Sequence, residues 1–145
     1  MIITTARKPS SKIRTFCRHL SRFTGWKYIS RGKASISIFG DEPFLLVGEH
    51  KGNPGSFVFY SDGICVLSIR INVSRDEEIG CGAEPVLEGD NDLAHALGRA
   101  TGLIMGGKGE RVIHVNDRIE FIDKGASYIV VTVLSARGEG IVRPV

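Results

Sequence analysis

The densest run of chemistry-bearing residues opens the chain, MIITTARKPSSKIRTFCRHLSRF. Arg7, Lys8, Lys12, Arg14, Arg18 and Arg22 recur there every few residues, Lys27, Arg31 and Lys33 follow, and the first acid is Asp41. Residues 1–40 therefore carry nine cations and no acid (+9), whereas residues 41–145 hold ten Lys or Arg against sixteen Asp or Glu (−6). A guanidinium donates two parallel hydrogen bonds to one phosphate. A cation run without acids therefore predicts a polyanionic partner. The competing reading is internal, with the basic start resting against the acidic remainder. A solvated face usually mixes both signs, so the complete lack of acids favours the polyanion.

The spacing shows what must position these cations. Ser10 or Ser11 can cap a helix. Ile13, Phe16, Cys17, Leu20 and Phe23 then fall on one apolar stripe. Arg14, Arg18 and Arg22 lie at i, i+4 and i+8 on another face, and Gly25 ends the helix. One side is expected to be buried while an arginine row faces out. The helix start, beside Arg7, Lys8 and Ser10, offers unpaired backbone N–H groups, a phosphate site in itself. Ser11 and Thr5 can add hydroxyl contacts, and Lys12, Lys27, Arg31, Lys33 and Lys51 widen the patch. Phe57, Phe59 and Tyr60 could stack on unpaired bases, although strand alternation favours core packing for some of them.

Other motifs yield less. GLIMGGKG at 102–109 has the glycine and lysine spacing of a phosphate loop, but Gly109 stands where a hydroxyl residue should hold magnesium, and the stretch before it reads as helix rather than strand. GCGAEP at 80–85 lacks the third glycine of a dinucleotide fingerprint and lies among acids. His19, His50, His95 and His114 make no metal-ligand spacing, and His19 reads as a surface or boundary residue. No Ser sits in a G-x-S-x-G turn. The acids Asp76, Glu77 and Glu78 read as a solvated run rather than a divalent-ion site. No nucleophile, base and anion-stabilising group assemble, so no enzyme, cofactor or metal is expected. Cys17, Cys65 and Cys81 are odd in number, without a C-x-x-C pair, and predict reduced thiols in a cytosolic, cytoplasmic protein, with Cys17 and Cys65 facing the core. The first residues contain no long apolar run of a secretory signal, and stretches such as YIVVTVL at 128–134 have only strand length.

The remaining elements read as follows. Met1–Thr5 is a strand, and Trp26–Ile29 a second. ASISIF within 31–40 is open between strand and short helix. Pro43–His50 is a buried strand, and Lys51–Ser56 a loop. Phe57–Tyr60 and Ile64–Val73 form a hairpin around Ser61-Asp62-Gly63, with Cys65, Leu67, Ile69, Ile71 and Val73 on one face and Ser68, Arg70 and Asn72 on the other. Residues 76–92, with seven acids and no Lys or Arg, form an acidic linker holding a short strand at Pro85–Glu88. Asp90 or Asn91 caps a second helix over Asp92–Leu103. Gly106–Gly109 is a loop, and Arg111–Val115, Arg118–Ile122 and Ser127–Leu134 are strands. FYSDG at 59–63 echoes FIDKG at 121–125, which fits an α/β (α+β) fold of two similar halves, about 1–75 and 85–145, within one domain.

TTARKPS at 4–10 followed by a basic amphipathic helix, RGK at 31–33 and HKGNPGSFVFYSDG at 50–63, in that order, resemble the Brix-domain family of ribosome-biogenesis proteins. The likeness covers nearly the whole chain, strongest over residues 3–63, and Ala6 stands where the family often has Ser. The resemblance implies an archaeal-type single-domain member, with two halves akin to the anticodon-binding domain of class II aminoacyl-tRNA synthetases. It also implies binding to pre-rRNA, a role in rRNA processing and small-subunit assembly, and help for a guide RNA in pairing with precursor RNA. Other ribosome assembly proteins are further expected partners, no membrane is, and the chain is expected to be a monomer. The alternative is a protein-interaction module whose basic face docks an acidic assembly factor.

Overall fold

The computed structural model describes residues 1–141. Its elements are β1 (Ile2–Thr5), α1 (Ser11–Thr24), β2 (Lys27–Tyr28), a 3-10 helix (Ile36–Phe39), β3 (Phe44–His50), β4 (Asn53–Ser61), β5 (Ile64–Asp76), β6 (Val86–Glu88), α2 (Asp92–Thr101), β7 (Arg111–Val115), β8 (Arg118–Asp123) and β9 (Ala126–Gly138). All nine strands join one mixed sheet in the order β2-β1-β3-β4-β5-β9-β8-β7-β6.

The connections follow from pairing geometry. β1 runs parallel to β3 and β6 parallel to β7, and parallel neighbours need a long crossover. α1 lies within the first crossover and α2 within the second. Each parallel pair leads into an antiparallel meander, β3-β4-β5 and β7-β8-β9. The order strand, helix, strand, strand, strand thus occurs twice, with β2 and the 3-10 helix added in the first. The last strands of the two runs, β5 and β9, pair antiparallel at the middle of the sheet.

Three hairpin turns, Lys51-Gly52, Asp62-Gly63 and Lys124-Gly125, have positive φ at both central residues. That is the mirror-image turn whose twist matches the flanking strands, and glycine is favoured in it. FYSDG and FIDKG each carry one of them, at the β4–β5 and β8–β9 corners.

Both helices lie on one face and share one core. The stripe Ile13, Phe16, Cys17, Leu20 and Phe23 is buried as its spacing predicts. Phe16 stacks on Phe57 with centroids 6.1 Å apart, and Phe23 meets Phe121 edge-on at 5.3 Å. Leu93, Ala94, Ala96 and Leu97 of α2 complete the layer. α2 is capped by Asn91, whose Oδ1 accepts from Ala94 N at 2.8 Å, and it ends at Thr101 before the C-cap Gly102, two residues sooner than its sequence suggests. Among the described residues the other face is covered only at one end, where Phe39 of the 3-10 helix joins Ile2 and Phe44, and Tyr60 stacks on Phe44 at 4.7 Å.

Several expectations are corrected. Lys51–Ser56 is not a loop: the turn is Lys51-Gly52 alone and β4 begins at Asn53, with Pro54 beside a register shift at Gly48/Glu49. Such bulges near a strand end accommodate proline. ASISIF resolves as a 3-10 helix capped by Ser35. Asp76 belongs to β5, so the acidic connector is shorter than expected, and β9 reaches Gly138 rather than Leu134. Cys65 is exposed, because a register shift at Phe59/Tyr60 releases the end of β5 from the buried alternation. Phe57 and Phe59 are buried and offer no stacking surface.

Cys17 is buried in α1's core face, and desolvation raises its thiol pKa to about 12 from 9.0. Cys65 and Cys81 are exposed. Thiol titration of the native protein should modify two cysteines and spare Cys17 until unfolding. Between pH 9.0 and about 12 the unfolded chain releases the Cys17 proton while the native chain keeps it. Native stability should therefore fall with rising pH across that window, by about 1.4 kcal/mol per unit. Denaturant melts should show this slope in the native sequence and a shallower one in Cys17→Ala.

Candidate nucleic-acid interface

α1 is built to show one face. Ser10 is its N-cap: the Oγ accepts from Ile13 N at 3.3 Å and donates to Gly52 O at 2.9 Å. The Ser10 N–H donates to Glu49 Oε1 at 3.0 Å. The β3–β4 hairpin is thereby tied to the helix start, and a carboxylate stands where the sequence suggested a free anion site. Gly25 closes the other end with φ +78°.

Arg7, Lys8, Lys12, Arg14 and Arg18 are all exposed. Arg14 Nη1 donates to Pro9 O at 3.2 Å and Arg18 Nη2 to Thr15 Oγ1 at 3.1 Å. Neither meets a carboxylate among the described residues. Lys12 Nζ reaches Asn53 Oδ1 at 3.5 Å, and Lys51 sits on the adjoining hairpin turn. A groove of about 460 Å³ beside them is lined by Ser11, Lys12, Thr15, Asn53 and Asp76 among others. The start of the row, the turn before it and the hairpin tip therefore form one cationic surface.

The rest of the predicted patch divides. Arg22 is exposed but ion-paired with Glu78, and its neighbour His19 holds Asp76 through Nδ1 at 2.7 Å. Asp76 at the end of β5 and Glu78 just beyond it clasp the far end of α1, so the internal reading of the charge split holds there, while the cations of the near end meet no carboxylate among the described residues. Arg31 is half-buried and committed: its Nε and Nη2 donate to Thr5 O at 3.1 and 2.8 Å, and its Nη1 to Ala34 O at 3.0 Å. Desolvation and the charge of Arg7 lower its pKa. Lys27 and Lys33 are exposed, on β2 and in the following loop. Thr5 is buried and donates to Ala6 O at 2.8 Å, so it offers nothing outward.

Sequence reasoning missed Arg111. Its buried Nη1 donates to Arg22 O at 2.8 Å and Phe23 O at 3.0 Å, and its Nη2 to Gly80 O at 2.5 Å. Its Nε lies 3.7 Å from Asp123 Oδ1, and the guanidinium covers the Phe23 ring at 5.2 Å. A cation on the last carbonyls of a helix opposes the negative end of its dipole. Arg111 thus fixes α1, the connector and β7 together and sets the angle of the arginine row.

Among the described residues no helix is long and apolar enough to cross a membrane, and no cluster of three His, Cys, Asp or Glu residues is placed to hold a metal. The molecule is a small α+β protein, one large sheet with two helices on one face, whose first helix presents cations. The chain belongs to the Brix-domain family of ribosomal biogenesis proteins. It is 42% identical over 106 residues to a probable Brix domain-containing ribosomal biogenesis protein of Methanosarcina mazei, covering 67% of this chain and 68% of that one. A like-named protein of Methanococcoides burtonii is 36% identical over the same shares. No family model matches the chain. In structure it is similar to Mil, an archaeal Imp4-like protein, at TM-score 0.79 and 26% identity, over 95% of this chain and 99% of that one. A probable ribosomal biogenesis protein from Aeropyrum pernix shares the fold at TM-score 0.68 and 23% identity, over 91% and 93% of the two chains.

Proposed function

We propose that this chain is a non-enzymatic ribosome-assembly factor that binds precursor rRNA through the exposed start of α1. The observation that carries the reading is the surface formed by Arg7, Lys8, Lys12, Arg14, Arg18 and Lys51, open to solvent and without a carboxylate partner among the described residues. Arg14 and Arg18 track the phosphate backbone, and Arg7 and Lys8 hold it at the first turn. Such contacts set position and orientation but carry no base sequence. Family membership supports rRNA as the polyanion and small-subunit precursor RNA, with its guide RNA, as the place of action in the cytoplasm. The repeated element order supports two halves of similar build on either side of the acidic connector, as in the anticodon-binding domain of class II synthetases.

Binding to a small-subunit precursor transcript and to a length-matched unrelated RNA, across a salt series, tests the proposal. With about five phosphates neutralised, log K should fall against log salt with a slope of about −3.5 on single strands, and the precursor should bind more tightly. No binding at low salt overturns the reading and moves the basic face to an acidic protein partner.

A further inference from the structure

The sheet face opposite the helices carries a second set of donors. In the register of the central strands, Ser68 of β5 stands across from Arg137 of β9, and Arg70 across from Ser135. Ser56 of β4 flanks Arg70 on its other side. These five share one face. The residues between them, Phe57, Leu67, Ile69 and Ala136, are buried against the helix layer. Arg70 and Arg137 occupy diagonal corners of a square of serines and arginines, both exposed. Diagonal neighbours on one sheet face lie within about 8 Å. Like charges at that separation repel, and nothing relieves them: among the described residues neither arginine meets a carboxylate, and none of the five side chains makes a hydrogen bond. This occurs in the part of the chain where acids outnumber bases sixteen to ten, yet no acid among the described residues pairs with either arginine, and Glu49 of the adjoining cleft accepts from the Ser10 N–H instead.

The face also connects to the first surface. A cleft of about 400 Å³ runs from Arg70 and the half-exposed Leu134 to His50 and Lys51. Those residues sit on the hairpin that hydrogen-bonds the start of α1 through Glu49 and Gly52. From this arrangement we infer that Arg70, Arg137 and the serines around them form a second RNA-backbone contact, reached around the β3–β4 hairpin by the strand that α1 holds. Paired guanidinium groups supply the charge, serine hydroxyls donate to phosphate or ribose oxygens, and Leu134 gives a base an apolar seat. The inference rests on the RNA reading above and adds a second face to it.

The test uses Arg70→Gln/Arg137→Gln in the full chain, with thermal melting to confirm that these exposed substitutions leave the fold intact. Two probes are compared: a short single-stranded oligouridylate that spans only one face, and a longer one able to pass round the hairpin. The variant should lower the salt slope for the long RNA by about 1.4, two phosphate contacts on a single strand, and leave the short RNA, held at α1, unchanged. Wild-type affinities for both and a long-RNA slope unaltered in the variant overturn the second face while leaving α1's role standing. Loss of binding to poly-glutamate with RNA binding intact assigns the face to an acidic protein and overturns it too. If the native protein binds neither RNA, both readings fall together.

Discussion

Arg111→Met should cost about 3–5 kcal/mol of folding stability, the range for stripping one partner from a buried charged cluster. The substitution keeps the bulk of the side chain and removes only its charge and its donors. It leaves the carbonyls of Arg22, Phe23 and Gly80 without their donor and deprives Asp123 of its cation. Domains of this size hold about 5–15 kcal/mol in all, so the midpoint in a denaturant melt should move visibly with an unchanged slope. Arg111→Lys keeps the charge but cannot fork to two helix carbonyls and the connector, and should fall between. A loss below about 1 kcal/mol in Arg111→Met would place it with ordinary surface substitutions and remove Arg111 from its role as clamp.

Arg14→Glu/Arg18→Glu should weaken RNA binding roughly a hundredfold near 0.1 M salt. Each single-strand phosphate contact contributes about 0.7 to the slope of log K against log salt, so two lost contacts account for about 1.4 powers of ten there. Reversal of sign adds repulsion to that loss. Arg22→Glu should matter much less for RNA, because Arg22 already spends its charge on Glu78. A filter-binding series with both variants separates the two ends of the row. A loss for Arg22→Glu of at least half that of the double variant, on the logarithmic scale, would show that the Glu78 pair opens in the complex.

The first helix was legible because stripe, cap and stop all lie within one short run and agree: Ser10 before, Ile13 to Phe23 along it, Gly25 after. The uncovered face of β5 was legible for the same reason, since strict alternation places Ser68 and Arg70 opposite Leu67 and Ile69. What failed depended on register or on distant backbone. Cys65 left the core through a one-residue bulge in β5 at Val66, and no residue type announces such a bulge. Pro54 and Gly55 looked like loop and proved to be strand, because the local bulge tolerates them. By residue type Arg31 belongs with the RNA patch, but its guanidinium serves the carbonyls of Thr5 and Ala34, acceptors that every residue carries. Arg111 was hidden the same way, since its partners Arg22 and Phe23 are 89 and 88 positions away and contribute only their main chain.

The central pairing of β5 with β9 sets an order of events during synthesis. β5 ends at Asp76 and β9 begins at Ala126, and at about 5–20 residues per second the ribosome needs several seconds to supply the second after the first. Throughout that interval β5 carries a free edge of thirteen residues, the kind of edge that templates pairing with other chains. The exposed residues of its latter part are Arg70, Asn72, Ser74, Arg75 and Asp76, all hydrophilic and two of them cationic. Arg70 and its neighbours would then serve the nascent chain before they serve the finished one, keeping a long-exposed strand from its siblings until its partner emerges.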